Sequence, residues 1–181
     1  MALSLPSVAS FPSLPDETIT DALDLLFEPS KDLHALALPA IRAATPSTYD
    51  EVADIVKDQL LATQTKAADD KHSKEALLSI LGAHPRLGAK KVESTQSQAE
   101  QAQLQAASEK EGALLAALNA EYEAAFPGLI YVVFVNGRSR DVIMQNMRER
   151  IDRGNFGQEQ IAAIEAMANI AKDRAGKLPQ V

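Results

Sequence analysis

The sequence predicts an all-α fold, a single-domain helical bundle. Three observations carry that expectation. Apolar residues recur at helical spacing in most segments between turn signals. A long Ala/Gln/Glu-rich run extending to Phe126 strongly favours helix by propensity. Only Leu129 to Val135 (LIYVVFV) has the β-branched, uninterrupted character of a strand, and a lone strand has no partner.

Residues 1–12 (MALSLPSVASFP) read as a flexible N-terminal tail, and 13–181 as the helical domain. Pro15 opens the first helix, with Asp16 and Glu17 in its first turn and the stripe Ile19, Leu23, Leu26, Phe27. Pro29 and Ser30 stop it. The segment Leu33 to Ile41 carries Pro39, which predicts a short or kinked helix. Thr45-Pro46-Ser47 resets the chain, and Ser47 is placed to cap the stripe Val52, Ile55, Val56, Leu60. Glu75 to Leu81 is a further helix, ended by Gly82. A polar stretch from His84 to Gln96 leads into the Ala/Gln/Glu-rich run, which Gly112 is expected to divide. Ser139 caps a helix with the apolar positions Val142, Ile143, Met147 and Ile151. Gly154-Asn155-Phe156-Gly157 breaks it, and the last helix places Ile161, Ile164, Met167, Ala168 and Ala171 on one side. No repeat of fixed period is present.

Composition removes several function classes. Hydrophobic residues at 46% and charged residues at 24% are the balance of an ordinary soluble globular protein. A chain of 181 residues needs neither disulfides nor metal to fold. With no cysteine, thiolate nucleophiles, iron–sulfur clusters and Cys-based zinc sites are excluded. A net charge of −7 and the absence of Trp argue against nucleic-acid partners. No apolar run is long enough to span a bilayer. The N-terminus lacks the features of a secretory or mitochondrial leader, and the C-terminal Leu178-Pro179-Gln180-Val181 is not a peroxisomal tripeptide. The expected location is the cytoplasm, with the peroxisome left open.

The residues able to carry chemistry are few. Glycine-rich phosphate loops and the GxSxG, HExxH and EF-hand patterns are missing. Of three histidines, His72 lies in a charged stretch expected to face solvent, and His34 reads as a satisfied structural histidine. His84 differs. It follows a helix end, lies between Gly82 and Gly88, and precedes Pro85, which forces it out of the α region. An imidazole projected from so stiff a corner can serve as acid or base near neutrality, or simply cap the helix. Ser97 and Glu100 form a capping box, and the same helix start offers N–H groups, a hydroxyl and a carboxylate to an anionic ligand. Arginines between Arg138 and Arg174 could supply one planar fork for a carboxylate.

Taken in order, His84-Pro85 and Leu87, Ser97-x-x-Glu100-Gln101, Tyr122 to Phe126 and the apolar run, Arg150, Asn155 and Ile170-x-x-x-Arg174 resemble the OHCU decarboxylases. These convert 2-oxo-4-hydroxy-4-carboxy-5-ureidoimidazoline to (S)-allantoin and CO2 in urate degradation. The resemblance covers roughly Pro15 to Leu178, and the HP…SxxEQ pair is its most specific part. Two features depart from the family pattern. The stretch from His84 to Ser97 is shorter, and the aromatic–glycine pair before the apolar run is interrupted as Phe126-Pro127-Gly128.

The resemblance implies an all-α bundle, a homodimer, and a carboxy-lyase that uses neither cofactor nor metal. It implies catalytic roles for His84 and Glu100. Pro85, Ser97, Gln101 and the backbone of Ile130, Tyr131, Val132, Val133 and Phe134 would line the substrate, and Arg174 would hold an anionic or ureido oxygen. It also turns LIYVVFV from a strand into a buried segment whose backbone can bond a heterocycle. A non-enzymatic helical adaptor and a ureide or imidazoline hydrolase are the competing classes. The adaptor does not account for the His-Pro corner beside a Ser-x-x-Glu-Gln helix start.

Overall fold

A computed structural model describes residues 3–88 and 109–181. Within them the chain forms a 3-10 turn, Val8–Ser13, and seven α-helices. These are α1 (Asp16–Phe27), α2 (Lys31–Ala44), α3 (Tyr49–Lys66), α4 (Lys71–Leu81), α5 (Glu109–Ala125), α6 (Arg140–Arg153) and α7 (Phe156–Lys177). The all-α expectation holds. LIYVVFV is an extended segment outside any ladder, and the one β-bridge among the described residues joins Leu5 to Gln180.

Helix boundaries follow local chemistry. The Ser30, Asp70, Ser139 and Asn155 side chains each accept a backbone N–H three residues on, satisfying a donor that the helix start leaves unpaired. Gly154 closes α6 in the left-handed region at φ 60°. The α3 cap is Thr48 rather than Ser47: Thr48 accepts from the Glu51 N–H, while the Glu51 carboxylate reaches back to the Ser47 N–H at 2.7 Å. This is a reciprocal box shifted by one residue. Helix α2 runs through Pro39 instead of stopping there, and Gly112 lies inside α5 without dividing it.

The long helix α7 is the axis of the packing. Its most extensive contact is with α3; α1 lies beside it, α2 packs on α3, and α5 packs on α6. Ala163, Ile164, Met167 and Ala171 turn their apolar face to this core. Two expected core positions do not belong to it. Val142 and Ile161 are 48% and 36% exposed, because the buried faces of their helices run through Ile143, Met144, Met147 and through Ala163, Ile164, Met167.

The tail expected at 1–12 is corrected over its described part. Leu5, Val8 and Phe11 are core residues, Tyr49 donates to the Pro6 carbonyl at 2.7 Å, and Arg42 donates to the carbonyls of Phe11 and Leu14. Three apolar side chains in a short Pro/Ser-rich stretch have no periodicity to announce them, yet they fill a face that α2 and α3 leave open. Among the described residues, no helix is long and apolar enough to cross a membrane.

Candidate active site

Helix α4 ends at Gly82, and a side chain there would press on the Leu78 carbonyl at 3.0 Å and approach the Gly128 carbonyl at 3.5 Å. Gly128, at φ 89°, opens the extended segment. These two glycines therefore let the His84 corner and the start of LIYVVFV pass each other closely. The loop after His84 is tied to α5. Arg86 pairs with Glu123 through two bonds of 2.5 Å, and the Asn119 amide donates to the Leu87 carbonyl at 3.0 Å.

His84 itself is 6% exposed, and neither ring nitrogen has a hydrogen-bond partner among the described residues. A buried polar group without a partner is costly, so one retained in a folded protein calls for a reason. Burial lowers its pKa to about 4; the Glu28 carboxylate opposes that shift and the Arg174 guanidinium adds to it. The imidazole is neutral at pH 7, able to donate from one nitrogen and accept at the other.

Arg174 lies in the last turns of α7, 4% exposed. It donates to Glu28 Oε1 at 2.8 Å and to the Leu26 carbonyl at 3.2 Å. Glu28 is also 4% exposed and ends α1 at φ 77°, ψ 148°. Pro29 accounts for the extended ψ, but the positive φ belongs to a region that is nearly glycine-only and costs about 1–3 kcal/mol. Sequence reading missed Glu28. The available signal was a carboxylate at a Pro-marked helix stop, which by itself reads as surface.

The extended segment is held from outside its own backbone. Tyr131 donates to Asn146 Oδ1 at 2.7 Å, and the Arg150 guanidinium stands 4.8 Å over its ring. Arg150 also donates to the Val132 carbonyl at 3.0 Å and to Glu159 at 2.7 Å. Glu159, with no exposed surface, further accepts from Tyr122 at 2.6 Å and Arg153 at 3.2 Å. Arg138 donates to the carbonyls of Phe134 and Val135. These clamps use carbonyls. Among the described residues, no backbone hydrogen bond is donated by the N–H groups of Ile130 to Val135. A cavity of about 120 Å³ separates Val133 to Gly137 from Ile170, Asp173 and Lys177, so the segment runs beside the part of α7 that carries Arg174.

The sequence-derived candidates divide accordingly. His84 and Arg174 are both buried and near enough for the guanidinium to act on the imidazole through its charge, with Pro85 half-buried beside His84. Ile130 to Phe134 form the clamped segment, with the Tyr131 and Val132 side chains buried and those of Ile130, Val133 and Phe134 half-buried. Ser97, Glu100 and Gln101 lie outside the described residues. His34 is bonded to Asp24 at 2.5 Å and His72 is exposed. Among the described residues, no cluster of three or more His, Asp or Glu side chains could hold a metal ion.

The family model for OHCU decarboxylases matches residues 12–176, nearly the whole chain. The chain belongs to that family. A crystal structure of (S)-allantoin synthase shares its fold, with a TM-score of 0.64 at 21% identity. That likeness covers 95% of this chain and 54% of the other, so this OHCU decarboxylase family member spans about half the length of that protein. No curated protein matches the chain. Family membership gives the buried imidazole of His84 a chemical context.

Proposed function

We propose that the chain decarboxylates 2-oxo-4-hydroxy-4-carboxy-5-ureidoimidazoline to (S)-allantoin without a cofactor. The observation that carries this reading is the buried imidazole of His84, unpartnered among the described residues and set beside the buried Arg174. The family match supports it.

The reaction breaks the bond between C4 and its carboxyl carbon. The electron pair passes into the ring and is delocalised through the adjacent C=N bond. A proton then adds to one face of the neighbouring ring carbon. The C4 hydroxyl gives up its own proton to become the carbonyl, and one proton is consumed overall. A protein can favour this by turning the carboxylate out of the conjugated plane, stabilising the developing charge and delivering the proton to a single face. In the proposed arrangement Arg174 holds an anionic or ureido oxygen, and the free amides of the Ile130–Phe134 segment bond the heterocycle. Glu100 engages the C4 hydroxyl or a ring N–H and helps expel the carboxyl group. His84 starts neutral; the negative charge of the bound substrate raises its proton affinity, so it can take up a proton and pass it to the ring.

Protonation in free solution reaches both faces of a planar intermediate and gives racemic product, so optical activity requires a catalyst. Fresh substrate mixed with the protein is expected to give a rising circular dichroism signal of (S)-allantoin. His84→Asn is expected to stay folded and slow that rise by about 100-fold or more. An active His84→Asn protein removes His84 from the mechanism, and a folded wild type without signal removes the decarboxylase reading.

A further inference from the structure

Glu28 combines two unfavourable features. Its backbone occupies a conformation suited to glycine, and its carboxylate is buried. Glycine would relieve the first and an apolar residue the second, so neither feature is explained by ending α1. Both features serve one end. The positive φ at the close of α1 aims the carboxylate across to α7, where it receives Arg174 Nη2 at 2.8 Å, while the Leu26 carbonyl, two residues earlier, receives Nη1 at 3.2 Å. The two acceptors, a carboxylate and a backbone carbonyl from one helix end, fix the plane of the guanidinium. Glu28 and Arg174 also both act electrostatically on His84. The three groups are all buried, the Glu28–Arg174 pair acts on His84, and Glu28 is the member for which the proposed decarboxylation has no direct use.

We infer that Glu28 is a positioning residue of this site, setting the orientation of Arg174 and offsetting its positive charge beside His84. This rests on the decarboxylase reading for its catalytic consequence, although the orientation of Arg174 is testable without it. An arginine set freely in the corner would place its cation where it opposes protonation of His84. With Glu28 present the corner is close to neutral, and an arriving anionic substrate, rather than the protein, tips the imidazole toward taking up a proton.

The test compares wild type with Glu28→Gln, which keeps the shape and an acceptor oxygen but removes the charge. The first readout is kcat and KM by (S)-allantoin circular dichroism. The second is the nitrogen NMR signals of the Arg174 guanidinium, which are resolved when its rotation is restricted and averaged when it is not. Expected are a kcat lower by about tenfold or more in folded protein and averaged Arg174 signals. A purely structural Glu28 predicts a lower melting temperature with kcat of the folded fraction unchanged. Wild-type kcat in Glu28→Gln, or Arg174 signals that stay resolved, overturns the inference. Should wild type produce no (S)-allantoin, the decarboxylase reading fails, and the role of Glu28 then stands or falls on the Arg174 signals. Should Glu28→Gln not fold, Glu28→Asp, shorter but still charged, is expected to give intermediate kcat and partly averaged signals; unchanged values in both overturn the inference.

Discussion

A buried imidazole held neutral makes stability depend on pH in a direction opposite to that of a histidine gaining an anionic partner, and His84, without a hydrogen-bond partner among the described residues, is such a group. Its folded pKa lies near 4 against 6.5 for the unfolded chain. Between those values the unfolded state binds more protons, so the pH-dependent part of this residue's cost is absent above about pH 6.5 and grows as the pH falls toward 4. The full cost is about 3 kcal/mol, and about 2 kcal/mol is reached by pH 5. Urea unfolding of wild type and His84→Asn at pH 7 and pH 5 isolates it, since all other groups are common to both. The wild type is expected to lose about 2 kcal/mol more than the variant on acidification. Equal losses would show that the ring is not held neutral. At this scale the sequence was half legible. The Gly82, Pro85 and Gly88 punctuation singled out His84 because backbone restrictions are local. Glu28 was invisible because its meaning depends on Arg174, 146 positions away.

Regular elements were legible wherever the deciding forces were local. Pro15, Gly82, Ser139 and the Gly154 break, together with apolar stripes, placed α1, the end of α4, α6 and α7. Helix α4, however, starts at Lys71 under an Asp70 cap, ahead of the expected Glu75, and the misplaced cap of α3 shows the same limit. Ser47 and Thr48 are both competent caps, and the choice falls to the geometry in which Glu51 can reach back. The irregular element between α5 and α6 is the harder case. LIYVVFV has strand composition, and its fate depends on guanidinium groups that reach its carbonyls, Arg150 from α6 and Arg138 just ahead of that helix. Glu159 sits at the centre of that clamp, as a carboxylate with no exposed surface shared by Arg150, Arg153 and Tyr122. Burial, reinforced by the bond to Glu159, drives the Tyr122 hydroxyl pKa upward, and burial pushes Tyr131 up to about 12, so both rings remain neutral hydrogen-bond donors. Replacing Glu159 with Gln leaves the buried Arg150 cation short of its counter-charge, and a loss of about 3–5 kcal/mol in urea unfolding is expected. The carbonyl carbon resonance of Val132 should shift in the same variant, because Arg150 no longer has a fixed position from which to donate to it. An unchanged resonance would mean that Arg150 stays in place without Glu159.

Over the whole molecule, the family match begins at residue 12, yet the described structure uses the chain before it. Leu5, Val8 and Phe11 are at most 3% exposed, and Phe11 meets Tyr49 edge to face at 5.9 Å. Leu5 also pairs with the other end of the chain, receiving the Val181 N–H at 2.9 Å and donating to the Pro179 carbonyl at 2.8 Å. The N-terminal stretch thus joins α2 and α3 to the chain just beyond α7. Nothing local could announce this, because a Pro/Ser-rich stretch with three apolar residues is written the same way whether or not a face elsewhere awaits it. Burying each of the three side chains is worth about 1.5–3 kcal/mol, against which the ordering of a dozen residues works. Arg42 adds a further cost on deletion, since its bond to the Phe11 carbonyl is made in a half-buried position and would be lost, while the one to Leu14 remains. Removing residues 1–12 is therefore expected to lower stability by about 2–5 kcal/mol, read as the midpoint of urea unfolding. The ends of α1 and α4 and the last turns of α7 carry Glu28, His84 and Arg174, and among the described residues none of 3–12 is hydrogen-bonded to their side chains. Below its unfolding transition the truncated protein should consequently keep the kcat of the full chain. Loss of kcat with the fold intact would show that the N-terminal stretch sets the position of α7, and through it the direction of Arg174.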